Sequence, residues 1–168
     1  MNGDDPVKEQ EDRVPRVKTA MTGSLLAACG SLAMADGLLQ PHQWQSRILL
    51  VFASEEDSAA MITTLAVLDD NQAGIVERDL IIGTVFPDGG RFGGTDLSKA
   101  ECRQLRDRFA IRREAFTAIL IGKDGSEKLR LRRPPAAAEL FELIDSMPMR
   151  QSEIRRRQPV DSSDGDEG

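Results

Sequence analysis

The chain has little of what reaction centres are usually built from. Its 168 residues include two cysteines, one histidine, one tryptophan and no tyrosine. So few thiols and imidazoles cannot assemble a metal site, and neither a metal nor a cofactor is expected. Six phenylalanines and one tryptophan are too few aromatic faces for stacking bases, and a formal net charge of −6 supplies no basic excess. Nucleic acid is therefore excluded as a partner. No apolar run reaches the roughly 18 residues of a membrane span. At 40% hydrophobic and 30% charged, the chain has room for one globular domain with appendages.

What is present is organised around residues 47–58, RILLVFASEEDS. Five apolar residues, 48–52, run without interruption, as in a strand buried on both faces. Ser54 is expected to cap the next helix, with Glu55, Glu56 and Asp57 in its first turn, where negative charge suits the helix dipole. That helix carries Met61, Leu65, Leu68, Ile75 and Val76 on one side at 3.6 periodicity and ends or breaks at Gly74. Residues 80–86, LIIGTVF, form the second strand, and residues 87–95, PDGGRFGGT, a mobile glycine-rich surface loop that lacks the phosphate-binding spacings. A second helix is expected over 96–109, capped by Thr95 or Asp96. Leu97, Leu105 and Phe109 are buried there, Cys102 lies at the edge of that stripe, and Arg103, Arg106 and Arg108 face solvent. Arg112 and Arg113 extend that basic side.

Residues 116–121 and 127–132 form a hairpin around the Gly122-Lys123-Asp124-Gly125 turn. Pro134-Pro135 precedes a last helix whose apolar face is Ala137, Leu140, Phe141, Ile144 and Met147, and which Pro148 ends. The order is β-α-β-α-β-β-α, predicting a thioredoxin-like α/β fold with a four-stranded mixed sheet flanked by helices.

The flanks divide as follows. Residues 1–35 read as a disordered leader plus signal peptide: Arg13, Arg16 and Lys18 precede a weakly apolar stretch closing on Ala33-Met34-Ala35, with cleavage after Ala35. A rival cut exists, because Leu26-Ala27-Ala28-Cys29 resembles a bacterial lipobox and would be lipidated at Cys29. A plain disordered or amphipathic arm is the third reading. Residues 36–46 are a connector in which Trp44 packs against the domain's edge and His42 is solvent-exposed. The domain spans 47–150, and 151–168 is a disordered charged tail.

The strand RILLVFAS, the junction ERDLIIGTVF, the hairpin AILIGKDGSEKLRL and the close LFELIDSMPMRQSEI resemble the domain of unknown function numbered 4174. The resemblance covers about residues 43–154, with IGKDG and IDSMPMR its most specific pieces. It implies a thioredoxin-like fold in a family of exported bacterial proteins and animal extracellular-matrix and sushi-repeat proteins. The chain is thus expected in the periplasm or outside the cell, with a lipid anchor as the alternative. The resemblance carries no catalytic residues.

Thioredoxin-type chemistry needs a thiolate at the start of the helix after the first strand. Here that place holds Ser54-Glu55-Glu56-Asp57, and Phe116 or Thr117, not proline, precedes the third strand. No catalytic residue is assigned, so a non-catalytic binding or accessory module is expected. The alternative is a single-cysteine redox or peroxidatic enzyme using Cys102, with Arg103 and Arg106 favouring its thiolate. The acids at 55–57 are a charged turn or a weak metal or partner site. Arg112, Arg113, Arg130, Arg132 and Arg133 are either solvated surface or a face for an anionic cell-wall or matrix polymer; otherwise the partner is a protein.

Overall fold

The first strand is covered on both sides from end to end. The computed structural model describes residues 37–157, so Cys29, Ala35 and the segment from 158 onward lie outside the described residues. Strand β1 (Arg47–Phe52) pairs in parallel with β2 (Leu80–Val85) and antiparallel with β5 (Thr117–Ile121). Alternation sends Ile48, Leu50 and Phe52 to one face and Leu49, Val51 and Ala53 to the other. Helix α3 (Lys99–Arg108) covers the first face with Cys102 and Leu105. The opposite face takes Met61 and Leu68 of α1 (Ala59–Asp69), Ile75 of α2 (Gln72–Glu77), and Leu140 and Ile144 of α4 (Ala137–Ser146). Each large side chain so buried contributes roughly 1.5–3 kcal/mol.

The sheet has six strands, in the order β4-β3-β2-β1-β5-β6, and not the four expected. The two additional strands come from the glycine-rich segment. Strands β3 (Gly90–Phe92) and β4 (Thr95–Leu97) form a hairpin that extends the sheet beyond β2. Gly93 and Gly94, at φ +55° and +90°, make the two-residue turn that such a hairpin demands. Gly90 is required for a different reason, since a Cβ there would run into the Thr84 carbonyl and stand 3.2 Å from Cys102 Sγ. Strand β6 (Glu127–Leu131) closes the other edge.

Several local expectations shift. Helix α1 stops at Asp69, and Asn71 donates from Nδ2 to Val67 O at 2.8 Å before α2 restarts. A period counted through that break misplaces Val76, which is 72% exposed, and within α1 the buried position is Thr64 rather than Leu65, which is 38% exposed. Gly74 lies inside α2, where the Phe141 ring sits 2.6 Å from the position a Cβ would take. Trp44 is 63% exposed rather than packed at the edge. His42 is half-buried and meets the Phe92 ring edge-on at 5.1 Å. Helix α3 begins after Ser98, whose hydroxyl and amide complete a capping box with Glu101.

The largest departure is at the carboxyl end. Pro148 starts a helix, α5 (Pro148–Arg157), at the position where proline's missing N–H costs nothing. Residues 151–157, expected to be tail, are therefore ordered helix. Charge holds it. Glu153 takes a bidentate pair from Arg47 at 3.2 Å and forms a single ion pair with Lys123 at 2.8 Å. Arg150, 1% exposed, bonds Asp145 at 3.0 Å, the Glu77 carbonyl at 3.0 Å and the Glu77 carboxylate.

Burial pushes the Glu153 carboxyl up, but the bonds from Lys123 and Arg47 outweigh it and hold the group below its usual range. A lowered folded pKa stabilises the fold fully above the ordinary glutamate value of about 4.3 and loses that contribution as pH falls through the folded value. Urea unfolding should therefore show stability dropping below about pH 4. Glu153→Gln should cost about 3 kcal/mol at pH 7 and flatten the acid limb. Unchanged acid sensitivity in that variant would mean that α5 is held otherwise.

Candidate functional site

Open α/β sheets place chemistry beyond the carboxyl ends of their central strands. Here that point is the end of β1 and β2. Ser54 does not cap the following helix. Residues 54–58 form a loop, and Ser58 is the N-cap residue, with extended backbone and no side-chain cap bond. Glu55, Glu56 and Asp57 lie exposed in that loop, and the first turn of α1 carries no acid. They hold no metal-type arrangement, since no group of three His, Cys, Asp or Glu suited to a metal occurs among the described residues.

A groove of about 780 Å³ opens beside the loop, lined by Ser54, Glu56, Leu65, Thr84, Phe86 and Arg91 among others. Its chemical groups are hydroxyls, carboxylates and one guanidinium. It contains neither thiol nor imidazole, so it can bind but has no nucleophile of thioredoxin type.

Cys102 is the one cysteine among the described residues, and it lies beneath the sheet in the α3 core with 0% exposure, not at the stripe's edge. Burial pushes its thiol up, against the smaller opposing effects of the Phe86 backbone amide and the Arg106 charge. It behaves as a small apolar side chain.

Arg106 is the residue of this region that sequence reasoning placed wrongly. It is 6% exposed rather than solvated. Its Nη2 donates to the Val85 carbonyl at 3.0 Å and to the Ala53 carbonyl, and its Nη1 to the Arg112 and Arg113 carbonyls at 3.0 and 3.3 Å. One side chain thus ties the ends of β1 and β2 to the loop at 110–115. The signal was available in the spacing: Cys102, Leu105, Arg106 and Phe109 fall at i, i+3, i+4 and i+7. Several of the basic residues further on hold carboxylates of their own. Arg113 reaches Asp88 at 3.3 Å, Arg130 forks onto Glu127, and Arg133 holds Glu139 at 2.8 Å.

A mixed sheet with helices on both faces, a central β1–β2 parallel pair and an antiparallel hairpin after it define a thioredoxin-like fold. Solved structures agree. The chain is similar to the reduced 2-Cys peroxiredoxin of Plasmodium vivax, at TM-score 0.53 and 14% identity, over 69% of this chain and 84% of that one. It is equally similar to thioredoxin peroxidase I of Plasmodium yoelii, at TM-score 0.53 and 14% identity over 77% and 86%. At that identity the likeness is one of fold.

The chain belongs to the family described as domain of unknown function 4174, which matches residues 38–153. Among curated proteins it is 26% identical over 127 residues to sushi repeat-containing protein SRPX2 of Rattus norvegicus, covering 73% of this chain and 27% of that protein. It is 26% identical over 142 residues to coiled-coil domain-containing protein 80 of Danio rerio, covering 74% and 16%. The chain thus spans about a quarter or less of the length of these curated relatives.

Replacing Arg106 tests the tie directly. Arg106→Met should cost about 3 kcal/mol in chemical denaturation, because buried carbonyls lose their donors. Arg106→Lys should recover little, since one ammonium cannot span both pairs of acceptors. Full stability in Arg106→Lys would refute the geometric requirement.

Proposed function

We propose that the chain is an exported thioredoxin-like domain that binds or assists other molecules and performs no thiol chemistry. The observation that carries this reading is the pairing of Ser54 at the usual reaction point with a Cys102 sealed in the core. A thiolate must be formed and reached by its substrate, and burial opposes both. The family resemblance and the leader's basic and apolar pattern support a periplasmic or extracellular destination, by cleavage after Ala35 or by lipidation at Cys29. No described helix is long and apolar enough to cross a membrane. Partners of this reading are a protein or an anionic polymer. The peroxidatic alternative draws on the fold shared with peroxiredoxins, and its thiol would be Cys102.

Peroxide turnover and insulin reduction by the purified chain should match the buffer blank. Cys102 should react with an alkylating reagent at pH 8 at least about 100-fold more slowly than after unfolding in denaturant, as a thiol exposed only by opening of the fold does. Turnover that disappears in Cys102→Ser would overturn the reading in favour of the single-cysteine enzyme.

A further inference from the structure

A band of basic side chains surrounds the 110–115 loop. On one side of the loop, a cleft of about 540 Å³ against α3 is lined by Lys99, Arg103, Arg106 and Arg113, with Asp107 the acid. On the other, a cleft of about 290 Å³ against β6 is lined by Arg112, Arg130 and Arg132, with Glu114 the acid. Ile111 lines both, so the two clefts adjoin across one loop. We propose that together they form a binding site for an extended polyanion whose charges are sulfate or phosphate groups.

Charge pairing elsewhere in the fold makes this band distinctive. The chain has 28 acids against 22 bases, so carboxylates are plentiful. Outside the band Arg47, Arg78, Arg91, Arg133 and Arg150 each hold one, and within it Arg130 holds Glu127 while Lys99 and Arg113 share Asp88. Arg103, Arg112 and Arg132 form no ion pair or side-chain hydrogen bond with any described residue, and all three line these clefts. These three guanidinia keep their charge with only Asp107 and Glu114 as acids in the clefts, and an anionic ligand compensates it. The three cations without a carboxylate partner are all arginine, whose planar fork matches the oxygens of a sulfate or phosphate group.

The loop is also held in place before any ligand arrives. Arg106 bonds the carbonyls of Arg112 and Arg113, and the Ile111 amide donates to the Arg106 carbonyl at 2.8 Å. Arg130 donates to the Phe109 carbonyl at 3.0 Å, fastening β6 to the start of the loop. The guanidinia of Arg112 and Arg132 therefore project from a fixed frame, which lowers the ordering cost of binding. Neither cleft has an aromatic lining residue, so bases would find no stacking platform and the ligand is read by its charges. Cations on both sides of the loop require several linked anionic groups, because one small anion can occupy one cleft only.

The test uses the full chain with fluorescein-labelled dextran sulfate and linear polyphosphate in separate titrations. At least one should bind, and its affinity should fall about twentyfold between roughly 50 and 200 mM salt, the dependence expected for about three charge contacts. The triple variant Arg103→Ser, Arg112→Ser, Arg132→Ser should bind about tenfold more weakly or worse, with its unfolding midpoint unchanged. The control variant Arg155→Ser, Arg156→Ser, Arg157→Ser removes the same charge from α5 and should bind as the wild type does. Binding of dextran sulfate alone identifies sulfate esters as the source, and of polyphosphate alone phosphate. No binding of either, or an equal loss in the control, overturns the proposal. Peroxide turnover by the same preparation would sink the non-catalytic reading and leave these titrations unaffected.

Discussion

Total burial of β1 is the constraint from which the rest of the molecule follows. Every side chain from Arg47 to Ala53 is at most 3% exposed. A strand in that position needs a neighbour on each edge and a layer on each face, which β2, β5, α3 and the α1, α2 and α4 layer supply. It also leaves two ends at which polar groups would be stranded. Arg47 at the entrance is a buried charge, and the Ala53 carbonyl at the exit is a buried acceptor. Each end is closed by a distant partner: Glu153 from α5 at the entrance and Arg106 from α3 at the exit. Removing either partner exposes the full desolvation penalty of the group left behind.

The apolar logic of the fold was legible in the sequence, and the charged logic was not. Uninterrupted runs at 48–52, 80–86 and 116–121 announced the three central strands, and D-G at 124–125 announced the hairpin. Hydrophobic periodicity, however, treats every arginine as surface. Arg47, Arg106 and Arg150 are each at most 6% exposed, because each finds several oxygen acceptors that no local pattern displays. The same blindness hid α5, whose fold-side contacts are ion pairs with residues up to 106 positions away. The β3–β4 hairpin was missed for a different reason. Its glycines read as flexibility, whereas two of them serve a tight turn and one allows β3 to approach the Thr84 carbonyl.

At the candidate site, composition was easier to read than position. Residue types sufficed to see that Ser54 stands where a thiolate is needed. They did not suffice to see that the helix waits until Ser58, since both serines are competent caps and the choice depends on how the loop meets β2. The consequence is chemical. With a loop in place of a helix start, Glu55, Glu56 and Asp57 are free of the dipole that would have organised them.

Charge organisation has moved to the other side of Arg106. Four donations from one guanidinium link the strand exits to the 110–115 loop, so the rigidity of the central sheet is transmitted to a basic segment. In a redox enzyme of this fold the strand exits hold a reactive sulfur. Here they hold a loop. The strand exits offer a fixed point from which to present side chains, and Arg106 uses it to hold the backbone that carries Arg112 and Arg113. The interaction at the strand exits is therefore a structural hydrogen-bond tie, and its buried, multi-acceptor geometry explains why arginine and not lysine occupies position 106.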